Sequence, residues 1–364
     1  MKYLSQLKKK DLVGKKVLVR IDCNVPLKGG KVLDSSRLDA SLETIEYLLE
    51  KGARVILVGH MGSDGQKSLA PVAKYLSNFF GVKLVRKLDD PKLDTYLDAG
   101  QVIILENIRK FDGEKKNDPA FAKCLAKLAD IYVNDAFSVS HRAHASVSAI
   151  TKYLPSYAGL LFAREFKNLS LALKPEEPLV VILGGIKFHT KIPLIKKFSK
   201  TADKIFIVGA LANSFMKALG CDVGNSIVDD DVSYIKPFLK EVRKPVRPNG
   251  RIVLPIDVVT NKKDQIVDIG PKSLKQIKLA TKSAGMIIWN GPASWFEVGA
   301  KQGTLDIAKS VAKSKGVSIV GGGDTLAAIQ ELKLGKKFTH VSMAGGAMLD
   351  FLASGTLPGI KALK

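Results

Sequence analysis

The sequence predicts an α/β protein of two lobes, each a parallel sheet covered by helices on both faces. Short, continuously apolar runs alternate with amphipathic helical stretches, the pattern of strands buried on both faces. The alternation is interrupted once, near the middle, by an apolar-rich helical stretch at 154–173 that carries no strand. The 364 residues, 46% hydrophobic, suffice for two domains of ordinary size with cores of their own. The first lobe is therefore expected at 1–153, a connecting helix at 154–173, and the second lobe from 174 onward.

In the first lobe, 16–21 (KVLVRI) reads as a buried strand running into the polar turn Asp22, Cys23, Asn24 and Pro26. Ser36–Glu50 follows as an amphipathic helix with Leu38, Leu42, Ile45 and Leu49 on one face and Gly52 as its stop. Strand Arg54–Val58 ends at Gly59-His60-Met61-Gly62, and strand Val102–Leu105 ends at Glu106-Asn107-Ile108-Arg109. A helix at 119–129 precedes strand 131–133, which ends at Asn134-Asp135-Ala136-Phe137. The connector is closed by Lys174-Pro175. In the second lobe, strands at 179–183, 204–208, 251–255, 286–289, 317–320 and 340–342 are expected, and most of them end in glycine.

Ligands of parallel sheets bind beyond the carboxyl ends of the strands. There the first lobe places Asp22, Asn24, His60, Arg109, His141 and Arg142, with Arg37 nearby and His144 a weaker candidate. Converging arginines recognise phosphate or carboxylate, which points to a small anionic metabolite. The second lobe places backbone cradles there instead: Gly184-Gly185, Gly209, Gly321-Gly322-Gly323 and Gly345-Gly346. In 317–329 (VSIVGGGDTLAAI) a strand ends in glycines and a helix begins. Its free N–H groups favour phosphate, and Asp324 suits a magnesium ion carried with it. Lys187 and Lys191, four residues apart, would share one face if helical. No GxxxxGK[ST] occurs and no GxGxxG follows a first strand, so neither a Walker A loop nor a dinucleotide fingerprint is present. One lobe suits a nucleotide and the other a small anion, a pairing that implies phosphoryl transfer.

The net charge of +22 admits a nucleic-acid partner, but the lysines are scattered and no aromatic-interleaved basic stripe occurs. Specific nucleic-acid binding is not expected, whereas weak non-specific binding at low salt is. Cys23, Cys124 and Cys221 form no CxxC pair and suit a reducing compartment. The start has no apolar leader core and no run reaches the ~20 apolar residues of a membrane span. A cytoplasmic protein without membrane contact is expected.

RIDCNVP (20–26), GHMG (59–62), LENIR (105–109), YVNDAF with HRAHAS (132–146), GGIKFHTK (184–191), WNGP with FE (289–297) and GGGDT closely resemble the signature runs of phosphoglycerate kinase, in the family's order over essentially the whole chain. The resemblance implies two Rossmann-like domains joined by a hinge helix, an open cleft between them that closes for catalysis, a second domain to residue 349 and a tail, 350–364, returning to the first. It implies reversible transfer between MgATP with 3-phosphoglycerate and MgADP with 1,3-bisphosphoglycerate, by a monomer. On the matching positions, Asp22, Cys23, Asn24, Arg37, His60, Met61, Gly62, Ser63, Arg109 and Arg142 fall at the phosphoglycerate site. Gly184, Gly185, Lys187, Lys191, Gly209, Ala210, Asn290, Pro292, Glu297, Gly322, Gly323, Asp324 and Thr325 fall at the nucleotide site. Catalysis falls to Arg37, Lys187, Lys191, Gly323 and Gly346, and the metal contact to Asp324. The nucleophile is a carboxylate, ionised at neutral pH, so no general base is needed. Holding the reactants in line and neutralising the phosphoryl oxygens is the whole task. The chain departs from the family where Ser63 stands for a phosphate-binding arginine, at Ser138-Val139, at His189-Thr190, and at Ala344 in place of a cradle glycine. The alternative is a catalytically weakened relative that binds nucleic acid or a partner through its basic surface.

Overall fold

A computed structural model of the chain describes residues 1–186, 188–242 and 251–364. They form two compact units, Met1–Lys167 together with Thr356–Lys364, and Asn168–Gly355.

The first unit is built on six parallel strands: β1 Lys16–Arg20, β2 Arg54–Val58, β3 Val82–Val85, β4 Val102–Leu105, β5 Ile131–Asn134 and β6 Ser156–Ala158. Their order across the sheet is β3-β4-β2-β1-β5-β6. Central β1 pairs in register with β2 and β5, so Val17 lies opposite Val55 on one side and Ile131 on the other. Val17, Val19, Val55, Leu57, Ile104 and Val133 join Leu38, Ile45 and Leu48 of the helix Ser36–Glu50 in one buried core.

Two strands were not legible in the sequence. In β3 (VKLV) the lysine interrupts the apolar run and only Val85 is buried, which is edge-strand chemistry. β6 has three residues, too few for a period. It also divides the stretch expected to be one helix at 154–173: the helix is Leu160–Leu171, because Pro155 and the sheet hold the preceding residues extended. The helix expected at 119–129 ends at Ala126.

The second unit repeats the plan with β7 Leu179–Leu183, β8 Lys204–Ile207, β9 Ile252–Val253, β10 Met286–Asn290, β11 Val317–Gly321 and β12 His340–Ser342. Their order, β9-β8-β7-β10-β11-β12, is that of a doubly wound dinucleotide-type sheet. Chain direction across the sheet reverses between β7 and β10, which pair residue for residue from Met286 against Leu179 to Asn290 against Leu183. A crevice for a ligand therefore opens where Gly184 and Gly291 leave the sheet. The reversal in the first sheet lies between β1 and β5, at Ile21-Asp22 and Asp135.

Candidate functional site

In the first unit the site is assembled on Arg20, whose place inside a strand gives no sign of this role in the sequence. It is completely buried, although arginine is almost never so unless partnered. Its Nε donates to the Ser146 hydroxyl at 3.1 Å, Nη1 donates to the Ile21 carbonyl, and Nη2 donates to His60 Nδ1 at 3.0 Å. A guanidinium never accepts, so His60 Nδ1 must be the acceptor and the ring proton sits on Nε2. Burial and the charges of Arg20, Arg109 and Arg142 hold the His60 imidazole far below its usual range. His60 is thus a neutral hydrogen-bond donor. Glu114, fully buried, accepts from the Ser146 backbone at 2.9 Å and hydroxyl at 2.7 Å and lies 3.6 Å from His144 Nδ1. Burial pushes this carboxyl up, but its hydrogen bonds and Arg20 more than offset that and keep it ionised.

Arg109 stands in the turn after β4. Its Nη1 donates to the Gly62 carbonyl at 2.6 Å, while its buried Nε has no partner. Burial, then the charges of Arg142 and Arg20, bring this guanidinium down to about 10. Neighbouring cations that destabilise one another describe a site suited to an anion. Arg37 in the first turn of its helix reaches Asp22 Oδ2 at 2.8 Å, and Asp22 Oδ1 accepts from the Asn24 backbone at 3.0 Å. Asn24 Oδ1 accepts from the Gly62 backbone at 3.0 Å. Asp22, Asn24, Arg37, Gly62 and Arg109 are therefore brought together through these bonds, while His60 is held by Arg20. Arg142 is exposed, its Nε donating to His141 Nε2 at 3.1 Å. Ser63 is exposed and follows Gly62 on the same loop. Cys23 and Met61 are different: both side chains lie in the hydrophobic core, with burial pushing the Cys23 thiol up to about 12, so only their backbones face the turn.

In the second unit the glycines separate into two kinds. A methyl group at Gly184 would come 2.2 Å from the Pro292 carbonyl oxygen, and one at Gly209 would come 2.6 Å from it. These glycines let three chain crossings touch, and Gly184 N–H donates to the Asn290 carbonyl at 3.0 Å. Gly323 and Gly346 are the first residues of helices Gly323–Glu331 and Gly346–Ser354, and a methyl group on either would meet nothing within 4 Å. What their missing side chains leave is open space at the N-termini of two helices.

Lys191, on the helix Phe188–Phe198, is buried and its Nζ donates to Asn290 Oδ1 at the end of β10. Lys187 and its expected facing of Lys191 lie outside the described residues. Thr325 turns inward, its hydroxyl accepting from the Gly291 backbone at 3.0 Å, so it shapes the turn. Gly185, Gly209, Ala210, Pro292, Glu297 and Asp324 line an open pocket whose wall is apolar: Ile227, Val258, Ile266 and Phe296. An apolar slot with polar groups at one end suits a base and its phosphates. A buried network missed in the sequence supports this pocket. Asp268 accepts from the Ser294 hydroxyl at 2.8 Å and the Gly303 backbone at 2.9 Å, and Thr304 accepts from the Ala293 and Ser294 backbones. Its only sequence signal was an acidic residue inside a β-branched run. No group of three or more metal-ligating side chains occurs among the described residues. Asp324 is exposed on the pocket and in no ion pair among them, which fits a magnesium ion that brings phosphates and waters as its other ligands.

A family model described as phosphoglycerate kinase matches residues 7–355. The chain is 44% identical to the phosphoglycerate kinase of Dictyoglomus turgidum, over 100% of this chain and 99% of that one. It is 41% identical to that of Moorella thermoacetica, over 98% of each. Among solved structures it is similar to phosphoglycerate kinase from Coxiella burnetii, with a TM-score of 0.82 and 36% identity over 99% of this chain and 98% of that one. It is also similar to that from Pyrococcus horikoshii OT3, with a TM-score of 0.85 and 28% identity over 100% and 98%.

Proposed function

This chain belongs to the phosphoglycerate kinase family, and from that premise we propose how its residues divide the work. The reaction is reversible phosphoryl transfer between ATP with 3-phosphoglycerate and ADP with 1,3-bisphosphoglycerate. In our reading the first unit binds 3-phosphoglycerate. Arg109 and Arg142 meet its phosphate, the neutral His60 donates from Nε2, and Asp22 and Asn24 receive its hydroxyl. Arg37 is placed to leave Asp22 for the phosphoryl group in transfer. The second unit binds the nucleotide, with its base on the apolar wall and its phosphates before Gly323 and Gly346. Asp324 would hold magnesium, which neutralises phosphate charge when bound. Lys191 supplies a buried ammonium beside the phosphates. Lys187, assigned from the GGIKFHTK motif, supplies the other. No proton need be moved, because the attacking carboxylate is already ionised. We place the enzyme in the cytosol, acting as a monomer.

The observation that carries this reading is the pair of helix starts at Gly323 and Gly346. Their glycines serve no packing purpose, and Asp324, next to Gly323, lines the apolar pocket. Steady-state kinetics with ATP and 3-phosphoglycerate varied separately test it. Asp324→Ala should cut kcat and raise the magnesium requirement while leaving the 3-phosphoglycerate KM nearly unchanged. Full kcat at ordinary magnesium would remove Asp324 from the site.

A further inference from the structure

In the second unit, helix Pro271–Ser283 packs beside helix Gln302–Ala312, and the hydroxyls of Thr281 and Ser310 meet between them at 2.7 Å. Over this contact runs an open groove lined by Lys278, Lys282, Asp306, Lys309, Ser310 and Lys313. Four lysines share one carboxylate, and that carboxylate is engaged: Asp306 pairs with Lys278 at 3.3 Å and Lys309 at 3.5 Å and accepts from Gln302 at 2.9 Å. Lys282 and Lys313 pair with no carboxylate among the described residues. Both sit at helix C-termini, where the carbonyl ends favour a cation without a carboxylate partner. None of these residues belongs to either substrate site.

We infer that this groove holds the phosphodiester backbone of single-stranded nucleic acid without reading its sequence. Each wall carries two lysines four residues apart, about 6 Å along its helix, so a linear polyanion lying in the groove is neutralised from both sides at successive positions. Lysine supplies point charges that tolerate any orientation of the phosphate. No aromatic side chain lines the groove, so no base is stacked and none is selected. A bilayer would need an apolar face, and Leu279 is the sole large exposed apolar side chain on the two helices.

The test is fluorescence anisotropy of a labelled oligothymidylate against the full chain, with MgADP and 3-phosphoglycerate saturating so that the substrate sites are filled. The four lysines less the one carboxylate of Asp306 neutralise about three phosphates on a single strand, which gives a slope of log Kobs against log salt near −2. Lys282→Gln with Lys313→Gln should reduce that slope to about −0.7 and leave kinase activity unchanged. Lys9→Gln with Lys10→Gln, which removes the same charge from an exposed helix of the first unit, should leave the slope near −2. Equal losses in both variants would show diffuse charge instead of a groove. An unchanged slope in the groove variant would place binding elsewhere. Displacement of the oligonucleotide by polyglutamate as readily as by unlabelled oligothymidylate would make the occupant an acidic polypeptide. Each of these results overturns the inference.

Discussion

Ser63 and Asp135 each carry a consequence that can be measured. Ser63 is exposed on a loop held by three side chains: Arg109 on the Gly62 carbonyl, Asn24 on the Gly62 N–H, and Asn107 on the Met61 carbonyl at 2.7 Å. An arginine there would join an anchored loop beside existing cations. A hydrogen bond to a charged group contributes ~1.5–3 kcal/mol. Ser63→Arg should therefore lower the 3-phosphoglycerate KM about ten-fold or more. An unchanged KM would mean that another cation already fills the position. Asp135 is fully buried below the start of helix Leu160–Leu171, where Oδ1 accepts from the Phe162 N–H at 3.2 Å and Oδ2 has no partner. Burial raises its carboxyl to about 7, against hydrogen bonds from Thr44 and the helix start and the charge of Arg164. A raised folded-state value favours the neutral acid, so this stabilisation is present in acid and lost as pH rises from the ordinary carboxylate range through about 7. Asn mimics the neutral acid and puts its NH₂ where Oδ2 has no partner. Thermal melts between pH 5 and 8 should show the parent losing stability relative to Asp135→Asn, by an amount on the order of a few kcal/mol. Parallel pH profiles would show that Asp135 does not titrate there.

At the scale of elements, the two kinds of glycine separate stability from function. Gly184→Ala forces a methyl group to 2.2 Å from the Pro292 carbonyl, where neither strand end can yield. Overpacking of this kind costs roughly 1–3 kcal/mol or more, so a lower Tm should accompany any loss of activity. Gly323→Ala meets no atom and adds a good helix former, so its Tm should hold or rise. Its methyl group occupies the space before the helix N-terminus, and the ATP KM should rise roughly ten-fold if a charged hydrogen bond is lost there. If Gly323→Ala binds ATP normally, the phosphates lie elsewhere. The helix starts themselves were legible in the sequence, since glycine after an apolar run marks the change of backbone direction. Which glycines pack and which leave room was not, because that depends on Pro292, more than a hundred residues from Gly184.

For the whole molecule, a charge of +22 creates a field that anionic substrates feel before contact. The value of kcat/KM for 3-phosphoglycerate should fall several-fold as KCl rises from about 0.02 to 0.3 M, as screening shortens the field's reach. A flat profile would confine electrostatics to the site. No helix among the described residues is long and apolar enough to cross a membrane.

The sequence by itself determined the α/β class, most of the sheet strands and the family. Buried parallel strands are apolar runs, and the polar residues after them follow the chain locally. It also brought together Asp22, Asn24, His60 and Arg109 as candidates, because each directly follows a strand. Only the tertiary structure decided that Arg20 is the buried cation setting the His60 tautomer, that Cys23 and Met61 face the core, and that Thr325 holds a turn. It alone found the edge strands β3 and β6 and cut the connecting helix back to Leu160–Leu171. The reason is one of range. Apolar periodicity and turn chemistry are written in neighbouring residues, whereas the direction and protonation of a side chain depend on residues such as Ser146, Glu114 and Pro292, brought near only by packing.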